Sequence, residues 1–219
     1  MAWLRAPTSK GELSVCLGVE SEAFQGGGHF SVTLEGREIL PALRTPNLFR
    51  SAPLVGGCAG TAARGDEVKI LDWTPTAEIP RLVLDLTAAY PPEAGLLFWT
   101  RSLECWKAGR GPEGSMTPAK MVLTDVFRTR EPRQKITHVI WSLEGFKEPD
   151  ERVEGTGFRL NLGGLKCEIS PAPYALSCSA FTPTELLLQD FAGETFHKIE
   201  AVYRTDEQGE LKLETRFYA

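Results

Sequence analysis

The sequence has no apolar run approaching the ~18–20 residues that cross a bilayer as a helix. Its opening stretch, MAWLRAPTSKGELSV, holds no apolar segment of signal-peptide length. It also lacks any Lys/Arg-rich run, and 24 basic against 29 acidic residues leave a formal charge of −5. The electrostatic footprint of a nucleic-acid binder is therefore missing. Neither a membrane nor a nucleic acid is an expected partner, and the cellular location stays open. No CxxC occurs, which removes zinc ribbons and thioredoxin-like motifs. The five cysteines are odd in number and widely spaced, unlike a disulfide framework. Cys16, Cys105, Cys167 and Cys178 fall in strand-like runs, where a small buried hydrophobe is the expected role. None of His29, His138 and His197 lies within four residues of another His or Cys in a ligand spacing. GxSxG and SxxK are absent, and the Gly-rich segments GGGH (26–29) and VGGCAG (55–60) are not GxGxxG and lead into no convincing helix. No catalytic, cofactor-binding or metal-binding residue is assigned from the sequence, and the expectation leans away from an enzyme.

What is present is a long series of short β-type runs punctuated by Gly, Pro and Asp. The 219 residues are 42% apolar and 24% charged, a globular composition. An all-β sandwich can hold ~200–250 residues as one domain, so a single domain over 1–219 is expected. Leu13, Val15, Leu17 and Val19 alternate with Ser14, Cys16 and Gly18. HFSVTLEGREIL (29–40) reads as a hairpin turning at Glu35-Gly36. Leu82, Leu84 and Leu86 line one side of PRLVLDLTAAY (80–90), and further runs follow at 95–109, 120–131, 136–146, 157–170, 174–181, 195–206 and 209–219. The expected architecture is an antiparallel two-sheet sandwich of roughly ten to twelve strands. One short helix or turn is expected at PTELLLQDFAG (183–193), with Thr184 as N-cap and Gly193 as stop. Residues 41–66 and 108–119 read as long loops.

The aromatic residues give the candidate ligand contacts. Five tryptophans, Trp3, Trp73, Trp99, Trp106 and Trp141, are many for one modest domain. Exposed on a sandwich, indoles stack on sugar rings; buried, they fill the space between sheets. Trp99 and Arg101 are two apart and share a strand face, which suits a ligand platform or a filled core with a snorkelling arginine. Asp85, Glu104 and Asp125 lie in strand runs and need partners if buried. Asp125 interrupts the apolar run VLTDVF and reads as a hydrogen-bonded strand residue more than as an acid–base catalyst. His29 follows the Gly-rich turn QGGGH and is the most accessible of the histidines by sequence. His29, Arg50, Tyr90, Trp99, Arg101 and Trp106 form the candidate set.

Residues 80–146, LTAAYPPEAGLLFWTRSLECWK followed by MVLTDVFRTREPRQKITHVIWSLEGF, resemble the C-terminal β-sandwich domain of heparinase II/III-like polysaccharide lyases. Tyr90, Pro91, Gly95, Trp99, Arg101, Asp125, Phe127, Glu131 and Pro132 carry the resemblance. Upstream, Phe30, Gly36 and Leu40 match the family hairpin, so the likeness extends over 24–219, most strongly at 80–146. The resemblance implies a β-domain that, in the family, accompanies an α/α-toroid and takes part in β-elimination at a uronic acid. The chain departs from that pattern in the three functional turns. FQGGGHF stands where a His-rich turn is expected, Ala42 near an expected Asp, and Arg50-Ser51 near an expected His-Asn. The resemblance thus implies a non-catalytic sandwich that binds a carbohydrate, such as an acidic polysaccharide, or a partner protein. The alternatives are an accessory half that completes a uronate lyase with a separate toroid, or a minimal lyase.

Overall fold

The computed structural model describes residues 2–8, 11–18, 28–41, 51–60, 68–110, 116–145, 151–153, 157–182 and 193–218. Along the chain the strands are β1 (Ala2–Thr8), β2 (Gly11–Leu17), β3 (Phe30–Leu34), β4 (Arg37–Leu40), β5 (Pro53–Val55), β6 (Cys58–Ala59), β7 (Lys69–Thr74) and β8 (Arg81–Asp85). Two 3-10 turns, Thr87–Ala89 and Pro92–Ala94, lead into β9 (Leu96–Trp106). Then come β10 (Gly109–Arg110), β11 (Met116–Thr117), β12 (Lys120–Thr129), β13 (Lys135–Ser142), β14 (Glu151–Val153), β15 (Gly157–Leu162) and β16 (Leu165–Ser170). The last three are β17 (Ala175–Phe181), β18 (Phe196–Arg204) and β19 (Glu210–Tyr218).

The fold is all-β and every strand pairing is antiparallel. The wide layer is an eight-stranded sheet in the order β14-β15-β16-β19-β12-β9-β8-β7. Opposite it lie a four-stranded sheet, β1-β2-β3-β4, and a five-stranded sheet, β17-β18-β13-β5-β6. These two meet where Leu143 N donates to Ile39 O at 3.0 Å. One apolar cluster draws on all three sheets, with Leu13 and Phe30, Ile136 and Ile199, and Leu103, Leu123 and Phe217 among its members. Phe30 and Phe217 touch across the layers, with ring centroids 5.8 Å apart.

The alternation in the sequence sets the faces. On β9 the odd residues Trp99, Arg101, Leu103 and Cys105 are buried, and Phe98 and Trp106 stand outward and exposed. β12 follows suit, with Met121, Leu123, Asp125 and Phe127 inside. The 29–40 hairpin turns at Glu35 (φ 57°) and Gly36 (φ 76°), the two positive φ angles of a tight hairpin loop. Leu82, Leu84 and Leu86 are buried as expected.

Several expectations need adjustment. The 41–66 stretch contains β5 and β6, and the 108–119 stretch contains the ribbon β10–β11. Strands of two or three residues are too short to show periodicity, and they add to the ten to twelve runs read from the sequence. On β2 both faces are buried, including Ser14 and Cys16. Cys16, Cys105 and Cys167 are buried, but Cys178 is exposed, because β17 is an edge strand standing largely free of cover. Burial pushes the Cys16 thiol up to about 11 and that of Cys167 higher still, so neither is a nucleophile at neutral pH. The expected helix at 183–193 lies, except for Gly193, outside the described residues.

Candidate functional site

The inward face of β9 places Trp99 and Arg101 in the middle of the sandwich, 1% and 0% exposed. β12 pairs with β9 so that Asp125 stands directly opposite Arg101. The two form a bidentate pair: Nε to Oδ1 at 2.7 Å and Nη2 to Oδ2 at 2.8 Å. The Trp99 Nε1–H donates to the same Asp125 Oδ1 at 2.8 Å. The carboxylate therefore accepts three hydrogen bonds in a site without water access, the condition under which a buried charge is tolerated. The guanidinium plane also lies 5.2 Å from the Trp99 ring and 5.3 Å from the Phe30 ring, a cation–π arrangement on two sides.

The remaining guanidinium nitrogen reaches across the layers. Arg101 Nη1 donates to Gly28 O and, at 3.3 Å, to Ser51 O. These are the residues at which the described chain resumes after 19–27 and 42–50. One arginine thus holds the point before the β3–β4 hairpin beside the point before β5. Gly28 is required there on two counts. Its φ is +82°, and a Cβ would lie 3.0 Å from the Trp99 indole and closer still to Leu86. Ser51 is fully buried, and its Oγ accepts from Trp141 N at 3.2 Å. Tyr90 packs edge-on against Trp99 at 5.3 Å, and its hydroxyl donates to Pro53 O. Trp99 stacks on Phe127 at 5.8 Å.

His138, on β13 between Pro53 and Ala201, is completely buried, and its ring lies 6.4 Å from that of Phe30. Neither of its ring nitrogens has a hydrogen-bond partner among the described residues. Burial depresses its pKa to about 4; nearby Asp125 opposes that shift and Arg101 adds to it. The imidazole is neutral at physiological pH. Among the described residues no three His, Cys, Asp or Glu side chains gather as a metal cage.

Four of the six sequence candidates therefore converge. Trp99 lies against both Tyr90 and Arg101, and buried His29 follows the Gly28 carbonyl that Arg101 holds. They converge inside the sandwich. The arginine does not snorkel, because Asp125 sits across the strand to pair with it. His29 is buried, not accessible, because Gly28 brings the chain down onto Trp99 and Leu86. Arg50 lies outside the described residues. Trp106 is separate. It stands on the outward face of the eight-stranded sheet, 38% exposed, with Nε1 donating to Glu104 Oε2 at 3.2 Å and Lys120 Nζ 5.1 Å from its ring centroid. Of the other indoles, Trp3 and Trp73 are exposed and Trp141 is buried.

Comparison with known proteins bears on the fold. No family model matches the sequence, and no curated protein matches it. Solved structures do. A crystal structure of heparinase III superposes with a TM-score of 0.63 at 14% identity, over 99% of this chain and 35% of that one. The heparan sulfate lyase HepC from Pedobacter heparinus gives 0.58 at 11%, over 99% and 34%. A further heparinase III gene product gives 0.59 at 12%, over 94% and 32%. The chain thus has the fold of a β-rich portion of heparinase III-type lyases and spans about a third of their length.

Proposed function

We propose that this chain is a non-catalytic β-sandwich, related to the β-domain of polysaccharide lyases, that binds an acidic polysaccharide. The observation that carries this reading is the placement of the reactive side chains. Arg101, Asp125 and His138 are sealed between the layers, and Asp125 accepts three hydrogen bonds from Arg101 and Trp99. A general base must reach the proton it abstracts within hydrogen-bond distance or through one water, and these groups reach none outside. The relatives in fold are named for heparin and heparan sulfate, both polyanions of uronic acid and amino sugar, which supplies the ligand class. The overall charge of −5 requires that any attraction for a polyanion be local.

The test is a titration with heparin-derived and galacturonate oligosaccharides, followed by tryptophan fluorescence, with unsaturated-uronate absorbance recorded on the same samples. Saturable binding with no new absorbance is expected. Flat titrations for every oligosaccharide refute carbohydrate binding, and a growing absorbance refutes the non-catalytic reading. A second reading, an accessory half that completes a lyase with a separate α/α-toroid, is favoured by one observation: the fold is shared with a heparan sulfate lyase, of which the match spans about a third. Absorbance that develops only after a toroid protein is added would support it.

A further inference from the structure

The sheet order brings together residues that are far apart in sequence. Lys120 on β12 pairs with Trp106 on β9. The next strand over is β19, and the Met121–Phe217 pairing sets Tyr218 beside Lys120. Tyr218 in turn pairs with Lys166 on β16, and Lys166 with Asn161 on β15. Each of these residues alternates with a buried neighbour, Cys105, Met121, Phe217, Leu165 or Leu162, so all five point outward. They make one rung across five adjacent strands: indole, ammonium, phenol, ammonium, amide.

The neighbouring rung differs in charge. There Arg81 pairs with Glu104 at 3.4 Å and Arg159 with Glu168, and Arg216 reaches Glu214 two residues back along β19. Those arginines are committed to carboxylates. Lys120 and Lys166 have no carboxylate within ion-pair distance among the described residues. Burial, and then the neighbouring Glu168 carboxylate, push the Tyr218 hydroxyl up to about 12, so the phenol is neutral at physiological pH. Neighbouring strands are about 4.8 Å apart, so the two aromatic positions, two strands from one another, are about 10 Å apart. That is comparable with the length of a disaccharide.

We infer that the outward rung Trp106–Lys120–Tyr218–Lys166 is the saccharide site of this protein, taking an anionic oligosaccharide along the rung. Sugar rings stack at the indole and the phenol, and the two ammonium groups meet the carboxylate or sulfate groups between and beyond them. The inference rests on the saccharide-binding reading above and gives it a place. It also reconciles a net acidic protein with an anionic ligand, since the two unpaired lysines stand where the neighbouring charges already cancel.

The full chain, its Trp106→Ala variant and a Lys120→Met/Lys166→Met double variant are titrated calorimetrically with a heparin tetrasaccharide and a tetragalacturonate. A neutral cello-oligosaccharide serves as control, and thermal unfolding confirms that each variant folds. The site predicts a loss of about tenfold or more for each variant, a shallower salt dependence for the double lysine variant, and negligible binding of the neutral sugar. Folded variants that bind as tightly as the parent overturn the site and leave the function reading standing. A neutral sugar binding as well as the anionic ones overturns the role given to the lysines. If the parent binds none of the probes, the function reading and the site fall together.

Discussion

Trp99 and Trp106 lie on the same eleven-residue strand, seven positions apart, and each has a cation near its ring. An odd spacing along a strand puts them on opposite faces. Trp99 faces the interior, where its partner Arg101 has lost all hydration and must be neutralised by Asp125 and by two backbone carbonyls. Trp106 faces outward, where Lys120 keeps its water. The same pair of chemical types therefore has two different consequences. Inside, it fixes the geometry of two distant chain segments, and all three guanidinium nitrogens donate. Outside, it contributes little to stability and leaves charge and ring surface open to a ligand.

The largest effects should come from breaking the interior pair. Arg101→Met or Asp125→Leu alone strands an unpaired charge between the sheets, and each should cost about 3–5 kcal/mol in denaturant unfolding. Acidification should come next. The folded pKa of His138, about 4, lies below the ordinary value for an unfolded histidine. Below the unfolded pKa of about 6.5 the unfolded chain binds the extra proton, so stability is fully present above that pH. It should decline as pH falls from there to about 4, by on the order of 3 kcal/mol in all. A His138→Phe variant should flatten that limb of the pH–stability curve, and an unchanged limb would show that another group governs it. Gly28→Ala should follow at about 2 kcal/mol, since the new methyl meets Leu86 and Trp99 at a positive φ. At the outer end, Trp106→Ala and Arg159→Ala should each change stability by less than about 1 kcal/mol, which equilibrium unfolding can check. A large loss for Trp106→Ala would erase the contrast between the two indoles.

The sequence carried the inward face of β9 well. Period-two alternation assigned Trp99 and Arg101 to one side, and the resemblance singled out Tyr90, Asp125 and Phe127 beside them. It did not disclose whether that side was open or closed. Burial depends on which strands cover the face, and here β3 and the residues around Ser51 do so from about 50 to 70 positions away. The demand on Gly28 was invisible for the same reason, because a Gly-rich turn looks alike in solvent and against an indole. The outward rung was wholly hidden. Trp106 was marked as a candidate, but Lys120, Tyr218 and Lys166 join it only through the non-sequential order β9-β12-β19-β16. His138 sits in ITHVIW, whose strand character was plain, and only the packing of β5 and β18 on either side reveals that no solvent reaches it.

A double-mutant cycle on Arg101→Met and Asp125→Leu, read by chemical denaturation, tests most directly whether the interior ion pair belongs to the fold and not to chemistry. The account predicts two severely destabilised single variants and a double variant more stable than the sum of the two losses implies, by about 1–3 kcal/mol. Single variants as stable as the parent that nonetheless lose oligosaccharide binding would contradict it, and would return Arg101 and Asp125 to the ligand.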